Sequence, residues 1–544
     1  MDSGVSEAAI IEDRVVRSST PDQPVPDVDY ATFLRSLWGK FKDHTALVSS
    51  DTGERCTYEQ LEDACTRVAA GLASIGFEPG DMAGIHCATS LDAMVAFYGT
   101  AFAGGSMVFA KASLTAREVT YDFKETNPCI VFCDEENAAK TEEACKTIHS
   151  VKTLVVFGHR DGMMPFSTLR QSRRAASLPR VDPKSLLAVL FSSGTTGLPK
   201  AAMLSHRNAV AQLFAASLEN SQAIVSSDVL LGTAPFTHVS GLLFNHVVFA
   251  SGASLAILKT SEPCEVFPAI EKYKVTLMFQ FPTILQKLLR SPLIEKYDVS
   301  SIKKVYVGGS ATPSVTVEET FKKLNLDHFG QAYSMSESFG GGMISHHKQK
   351  DYETVGGPTV LTKAKIVDVN TGEKLGPRQT GEIRLKNPSC IAGYMNNREA
   401  TANLYDEDGF LRTGDIGYYT ESGVFYVVDR IKDMFKCMDR QVAPSEIEDV
   451  LMQHEAVKEA AVAGVPHAEY GEAPRAFVVL NPGYAPNEAT VAELQALVSA
   501  NMAPQKYLHG GVEFVSTIPK SDTGKNLRKD LRNAYLQRQV ARGL

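Results

Sequence analysis

The chain has 544 residues, more than one hydrophobic core usually serves, so at least two domains are expected. Hydrophobic residues make up 44% and charged residues 22%, ordinary proportions for a soluble globular protein. A formal net charge of -8, with no long basic run, gives no reason to expect a nucleic-acid partner. No apolar run reaches the roughly 18 residues that a membrane span needs. The acidic N-terminus, MDSGVSEAAIIEDR, lacks the basic-then-apolar pattern of a secretory signal. The closing residues ARGL are not a peroxisomal address of the Ser-Lys-Leu type, which leaves the cytoplasm as the expected location. Nine cysteines fall in no framework spacing. Cys129 and Cys133 have no second Cys/His pair nearby to complete a zinc site and read as buried thiols in a reducing compartment.

Residues 1–30 are polar and contain prolines, and read as a loosely ordered leader. From 57, TYEQLEDACTRVAAGLASIG carries the period of an amphipathic helix, ended by Gly76. Short apolar stretches follow, MAGIHCA, CIVFCD and TLVVFG, alternating with helix-like segments. The pattern recurs at SLLAVLF, ASLAILK, VTLMFQF and KKVYVGG. Such alternation predicts an α/β fold with a largely parallel sheet, in a large domain over 31–430. Past 350 the texture changes to short alternating strands and turn residues, which predicts a small β subdomain over about 350–430. Residues 431–544 read as a small α+β domain. Its helices are SEIEDVLMQHEAV and VAELQALVSANM, and its strands AVAGV and RAFVVL.

The most informative stretch is FSSGTTGLPK, 191–200, directly after the apolar run LLAVL. Gly194 and Gly197 allow a tight turn that brings backbone N–H groups close to an anion. Ser192, Ser193, Thr195 and Thr196 add hydroxyl donors, and Lys200 adds a positive charge. This is the inventory of a polyphosphate site. A Walker P-loop is excluded, because Leu198 and Pro199 intervene before the lysine and Ala201 follows it.

With the following AAMLSHRN, this string resembles the phosphate loop of the adenylate-forming superfamily, which includes acyl-CoA and aryl-CoA synthetases, coumarate–CoA ligases, luciferases and peptide-synthetase adenylation domains. Further segments occur in the family's order, from about 50 to 532. PFTHVSG (235–241) corresponds to the segment that carries a histidine over the acyl pocket. The resemblance implies that His238 lies near the acid's carboxylate, with Ser240, Phe244, Phe281, Thr283, Ala332 and Phe339 around the acyl group. GGSA (308–311) looks like the adenine-side turn, with Gly309, Ser310 and Ala311 at the nucleotide. QAYSMSE (331–337) is similar to the family's Gln-Gly-Tyr-Gly-x-Thr-Glu, with Ala332 and Ser334 in place of two glycines, which implies an altered acyl pocket. By the same resemblance Gln331 and Ala332 belong to the nucleotide site, Tyr333 stacks on the adenine, Ser336 meets the α-phosphate, and Glu337 the Mg²⁺; a single carboxylate suits Mg²⁺ held mostly by phosphate oxygens.

LRTGD (411–415) supplies Asp415 to accept from the ribose hydroxyls, and DRIK (429–432) supplies Arg430 to the ribose and Lys432 as hinge to a small mobile C-terminal domain. PKSDTGK (519–525) supplies Lys525. Carboxylate attack on the α-phosphorus joins two anions, so a cation must offset the accumulating charge. The reaction implied has two steps. A carboxylic acid, ATP and Mg²⁺ give acyl-adenylate and pyrophosphate; the small domain then turns about Lys432 and the acyl group passes to coenzyme A. The mostly apolar pocket set favours a medium-chain fatty or aryl acid. In the family the second-step face carries Lys-x-Lys-Gly-x-Gln. Here KCMDRQ (436–441) keeps Lys436 and Gln441 as candidate catalytic residues but has Met438 and Asp439 at the other two positions. An Asp there adds bulk and a negative charge facing an anionic cofactor.

Three alternatives differ in what they require. A peptide-synthetase domain usually has an Asp in the pocket segment, and PFTHVSG has none. A luciferase-like oxygenase shares every motif. A catalytically silent binding protein has no need of Lys525, Glu337, Asp415 and His238 together.

Overall fold

The computed structural model describes residues 9–192, 199–219, 224–347, 349, 351–521 and 524–541. Its large domain is built on two sheets whose central strands are parallel. One runs, in spatial order, Lys200–Ser205, Leu186–Ser192, Ser106–Lys111, Met82–Cys87, Ile130–Asp134, Thr153–Phe157 and Met164–Pro165. Only its first pair is antiparallel. The other has six parallel central strands, Thr45–Ser49, Ser254–Ile257, Val229–Gly232, Leu277–Gln280, Lys304–Gly308 and His328–Tyr333, with antiparallel strands at both edges. These are the apolar runs of the sequence. Strands covered on both faces need no polar side, so they read as continuous rather than alternating hydrophobics.

Helices pack between the sheets. In Leu91–Phe102 every residue but Asp92 is buried, the pattern of a helix enclosed on all sides. The predicted helix from 57 is Tyr58–Ser74. Thr57 and Gln60 cap it reciprocally, which satisfies two backbone donors at its start, and Gly76 follows its end at φ +85°. Trp38, Phe97, Tyr98, Phe102, Phe236 and Phe249 form the aromatic centre of this layer.

A six-stranded antiparallel sheet makes the β subdomain: Ala9–Glu12, Val15–Ser18, Lys363–Val367, Gly381–Lys386, Leu411–Tyr419 and Phe425–Arg430. Its first two strands correct the reading of a loose leader over residues 9–18; residues 1–8 lie outside the described residues. The two strands form a hairpin around Asp13 and Arg14, both at positive φ, and Val16 is wholly buried against the subdomain core. AII and VV carry that signal, but four-residue strands within an acidic, proline-containing stretch are too short to register as periodicity.

The small domain has a five-stranded sheet with helices Pro444–Met452 and Glu488–Asn501, and the C-terminal helix Arg528–Ala541 lies on strand Val457–His467. No helix among the described residues is long and apolar enough to cross a membrane. All nine cysteines are free thiols; Cys133 is buried, whereas Cys129 is only half-buried and Cys264 is exposed.

Candidate active site

The candidate residues converge beyond the carboxyl ends of the second sheet's parallel strands, where open α/β sheets bind ligands. Strand Lys304–Gly308 ends in the turn holding Gly309, Ser310 and Ala311, all exposed. Gly309 has φ +90°, and a Cβ there would meet the Phe281 ring at 2.8 Å, so this turn requires glycine. The neighbouring strand His328–Tyr333 delivers Gln331, Ala332 and Tyr333. Gln331 is buried and committed to structure: it accepts from Thr312 (3.2 Å) and donates to the Tyr352 carbonyl (2.6 Å). The Ser334 hydroxyl accepts from the Gly340 N–H at 3.1 Å, which fixes the following loop.

Tyr333 donates its hydroxyl to Asp415 Oδ2 at 2.6 Å, and Arg430 Nε lies 3.3 Å from Oδ1. Asp415 and Arg430 are register partners on adjacent antiparallel strands, so the sheet itself sets this pair. Burial raises the Asp415 carboxyl above the ordinary carboxylate range, against the opposing pull of Arg430. Each carboxylate oxygen keeps a further lone pair for a ligand hydroxyl.

The turn before Asp415 rests on a buried ionic network that sequence reading missed. Glu382 accepts from the Gly414 N–H at 3.2 Å. Arg384 bridges Glu382 and Asp406 at 3.0 Å each, and Lys365 reaches Asp406 at 2.9 Å. These four side chains are 4–9% exposed. Removing one charge from such a network strands its partners, a loss of about 3–5 kcal/mol. Arg384→Met is therefore expected to lower the large domain's thermal midpoint by several degrees and to raise the KM for ATP through the loosened 413–415 turn. Differential scanning calorimetry and pyrophosphate-release kinetics check the two effects.

Glu337 is 8% exposed, and its Oε1 accepts from the Tyr394 hydroxyl at 2.8 Å. The segment holding Tyr394 lies antiparallel beside strand Lys200–Ser205, with Met395 N–H on the Ala201 carbonyl (2.9 Å) and Met203 N–H on the Gly393 carbonyl (3.0 Å). The Lys200 ammonium sits 5.3 Å over the Tyr394 ring. Tyr394 thus joins Lys200 to Glu337, a role that its surroundings in sequence, IAGYMNN, do not announce. Ser336 lies half-buried in the short turn of helix Ser336–Ser338. Ser192 and Lys200 are register partners, closing a hairpin around the predicted phosphate loop. Ser193, Gly194, Thr195, Thr196 and Gly197 lie outside the described residues.

His238 caps helix Val239–Ser251, its Nδ1 2.8 Å from the Ser240 hydroxyl and its ring edge-on to Phe281 at 6.2 Å. Phe244 stacks on Phe279 at 4.8 Å, and Phe279 on Tyr306 at 4.9 Å. Two further residues of the predicted acyl set have the following surroundings. Phe339 is 1% exposed, held at φ +42° and packed edge-on against His246 at 5.5 Å, within the core. Thr283 abuts Gly524 so closely that a Cβ on this glycine would overlap it. It marks where the small domain meets the large one.

That contact brings Lys525 into the site. Its ammonium feels Asp415 and Glu337 as well as Arg430 and Lys432, and burial, followed by Arg430, presses its pKa down to about 8. On the same domain, strands Phe435–Cys437 and Arg440–Val442 form a hairpin whose Lys436 and Gln441 are exposed. Met438 and Asp439 make its turn, at φ +54° and +58°. Lys432 is exposed at the junction. Among the described residues no cluster of three or more His, Cys, Asp or Glu side chains could hold a metal.

The pattern described as AMP-binding enzyme matches residues 34–395, and that of its C-terminal domain matches 446–525. The chain is 32% identical over 537 residues to a probable 4-coumarate–CoA ligase 1 of Dictyostelium discoideum, covering 94% of this chain and 95% of that protein. It is 30% identical to a luciferin 4-monooxygenase of Photuris pensylvanica, over 90% and 92% of the two chains. ATP-bound MatB from Rhodopseudomonas palustris superposes with a TM-score of 0.84 at 26% identity, over 93% of this chain and 99% of that one. The chain is therefore a member of the AMP-binding, adenylate-forming enzyme family, in its coumarate–CoA ligase-like branch, and an ATP-binding, acid-activating enzyme.

Proposed function

We propose that the enzyme activates a medium-chain fatty or aryl carboxylic acid as its acyl-adenylate and transfers the acyl group to coenzyme A, releasing AMP and pyrophosphate. The observation that carries this reading is that Lys525, on the small domain, is buried in the site within the electrostatic reach of Asp415 and Glu337, while Lys436 and Gln441 are exposed on a hairpin of the same domain. In the first step the acid's carboxylate attacks the α-phosphorus and pyrophosphate leaves. Lys525, Lys200 and the 192–200 loop offset the charge, and Tyr333, Asp415 and Arg430 hold the nucleoside. In the second, rotation about Lys432 withdraws Lys525 and presents Lys436 and Gln441, and the thiol displaces AMP.

Glu337 fits a magnesium ion carried on ATP. It is buried, one oxygen is oriented by Tyr394, and the other takes no hydrogen bond from the described residues. Such an ion typically uses one or two carboxylates and fills its shell with phosphate oxygens and water, and it would neutralise charge on the departing pyrophosphate.

The residues assigned to the acyl group, Ser240, Phe244, Phe281, Thr283, Ala332 and Phe339, are mostly apolar or small, which supports aliphatic or aromatic acids over acetate or amino acids. The test is pyrophosphate release across acetate, octanoate, dodecanoate, benzoate, 4-coumarate and phenylalanine, each with and without coenzyme A. Octanoate or an aryl acid is expected to give the highest kcat/KM, with an acyl thioester as product. Reaction with acetate alone overturns the pocket assignment. Adenylate without thioester overturns the transfer, and light emission with luciferin would favour an oxygenase instead.

A further inference from the structure

We propose that Arg528 is a positioning residue for the first half-reaction: by pairing with Asp429 across the domain junction, it locks the small domain in the orientation that puts Lys525 in the site. The inference deepens the two-step reading above and rests on it only for the comparison of half-reactions.

Arg528 opens the C-terminal helix three residues after Lys525, and its side chain is only 17% exposed. Its Nε and one terminal nitrogen each lie 2.7 Å from a Glu448 oxygen, a two-point pairing that fixes the plane of the guanidinium. The other terminal nitrogen is thereby aimed at the junction, 3.5 Å from Asp429 and 3.5 Å from Asp433. Glu448 itself is pinned, accepting from the Val462 N–H at 2.8 Å. Arg528 is thus oriented by its own domain before it meets the other.

Asp429 belongs to the large domain, on strand Phe425–Arg430, and its side chain is 5% exposed. Besides Arg528 it receives the Ser445 N–H at 3.0 Å, while the Ser445 hydroxyl donates to the Val428 carbonyl at 2.7 Å. Lys432 lies between these partners in sequence. Rotation about it carries Ser445 and Arg528 away from Asp429, whereas the Arg528–Glu448 pair travels intact within the small domain. Lys525 must follow Arg528, because its loop is tied to the same body: Asn526 donates to the Ala460 carbonyl at 3.1 Å and the Leu527 N–H to the Pro519 carbonyl at 2.9 Å. The latch therefore exists in the orientation with Lys525 engaged and is broken in the other.

A structural staple would support both half-reactions alike; a latch supports the first alone. The experiment compares Arg528→Gln, Asp429→Asn and Ser445→Ala with the unaltered chain. It measures pyrophosphate release with octanoate and MgATP, and thioester formation from synthetic octanoyl adenylate and coenzyme A. It also follows tryptic cleavage after Arg430, Lys432 and Lys436, and thermal midpoint. Arg528→Gln is expected to slow pyrophosphate release by roughly tenfold or more, leave transfer within about twofold, and speed junction cleavage severalfold. Equal loss in both half-reactions, or unchanged cleavage, overturns the proposal. Should Arg528→Gln unfold, Asp429→Asn decides, since it removes the charge Arg528 meets across the junction and keeps the Arg528–Glu448 pair. If the unaltered chain fails to use octanoyl adenylate, the transfer reading fails and the latch is judged on release and cleavage. If octanoate is not activated either, cleavage alone decides it.

Discussion

Lys525→Met is expected to reduce acid-dependent pyrophosphate release about a thousandfold while leaving thioester formation from a supplied acyl-adenylate nearly unchanged. The magnitude follows from the charge it removes. A pair of unit charges about 4 Å apart, at an effective dielectric near 20, is worth roughly 4 kcal/mol, and about 1.4 kcal/mol corresponds to a factor of ten in rate. The selectivity follows from the proposed division of labour, in which Lys525, buried within reach of Asp415 and Glu337, serves the first step and the exposed Lys436 and Gln441 serve the second. A variant that keeps more than a tenth of its release activity would show that the lysine does not carry the charge.

The same side chain fixes a pH dependence. Burial and the guanidinium of Arg430 disfavour its ammonium form, with Lys432 adding to the effect, while Asp415 and Glu337 oppose it. The acting form is the charged one, present below about pH 8 and lost as pH rises through that value. The kcat/KM for ATP, which reports groups of the free enzyme, should fall on the alkaline side with an apparent pKa near 8. Bound polyphosphate favours the ammonium, so kcat should hold to higher pH. A flat kcat/KM between pH 7 and 9 would place the controlling ionisation elsewhere.

What the sequence disclosed about this site depended on how local each signal is. Parallel strands buried on both faces are legible as apolar runs, and the helix from 57 announces its own cap through Thr57 and Gln60, three residues apart. Asp415 and Arg430 come together because adjacent strands set their register, Tyr333 joins them from another sheet through its hydroxyl, and each sits in a short motif. Tyr394 and the network of Lys365, Glu382, Arg384 and Asp406 are different. Their partners lie 57 residues away for Tyr394 and 22 for Arg384 with Asp406, and charged residues in strands ordinarily read as solvated. The meeting of Thr283 with Gly524 was illegible for the converse reason: the two belong to different domains, and no pattern near 283 encodes it. The hairpin turn at 438–439 was legible as a departure in residue type, but only backbone angles show why glycine suits it.

Those angles make Asp439→Gly informative. Cys437 pairs with Arg440, so Met438 and Asp439 are the two central residues of a hairpin, both left-handed at φ +54° and +58°. Turns of this kind favour Asn, Asp and Gly because the rest meet steric cost. Glycine at 439 relieves strain of roughly 1 kcal/mol but loses a similar amount, about 0.5–1 kcal/mol, to the freedom it gives the unfolded chain. The thermal midpoint should hardly move. Any kinetic change then reports the side chain itself. Asp439 is exposed beside Lys436, on the face proposed to meet coenzyme A. One repulsive charge pair about 4 Å apart in water is worth about 1 kcal/mol, or roughly fivefold in rate. Asp439→Gly is accordingly expected to raise thioester formation about fivefold relative to adenylate formation, with the gain shrinking at high salt as the charges are screened. Asp439→Asn separates the two causes, since it removes charge and keeps bulk. A gain shared by both variants assigns the effect to charge, and a gain confined to glycine assigns it to size. An unchanged ratio in Asp439→Gly would mean that this turn does not face the thiol substrate, and the second-step face would have to be sought away from the 435–442 hairpin.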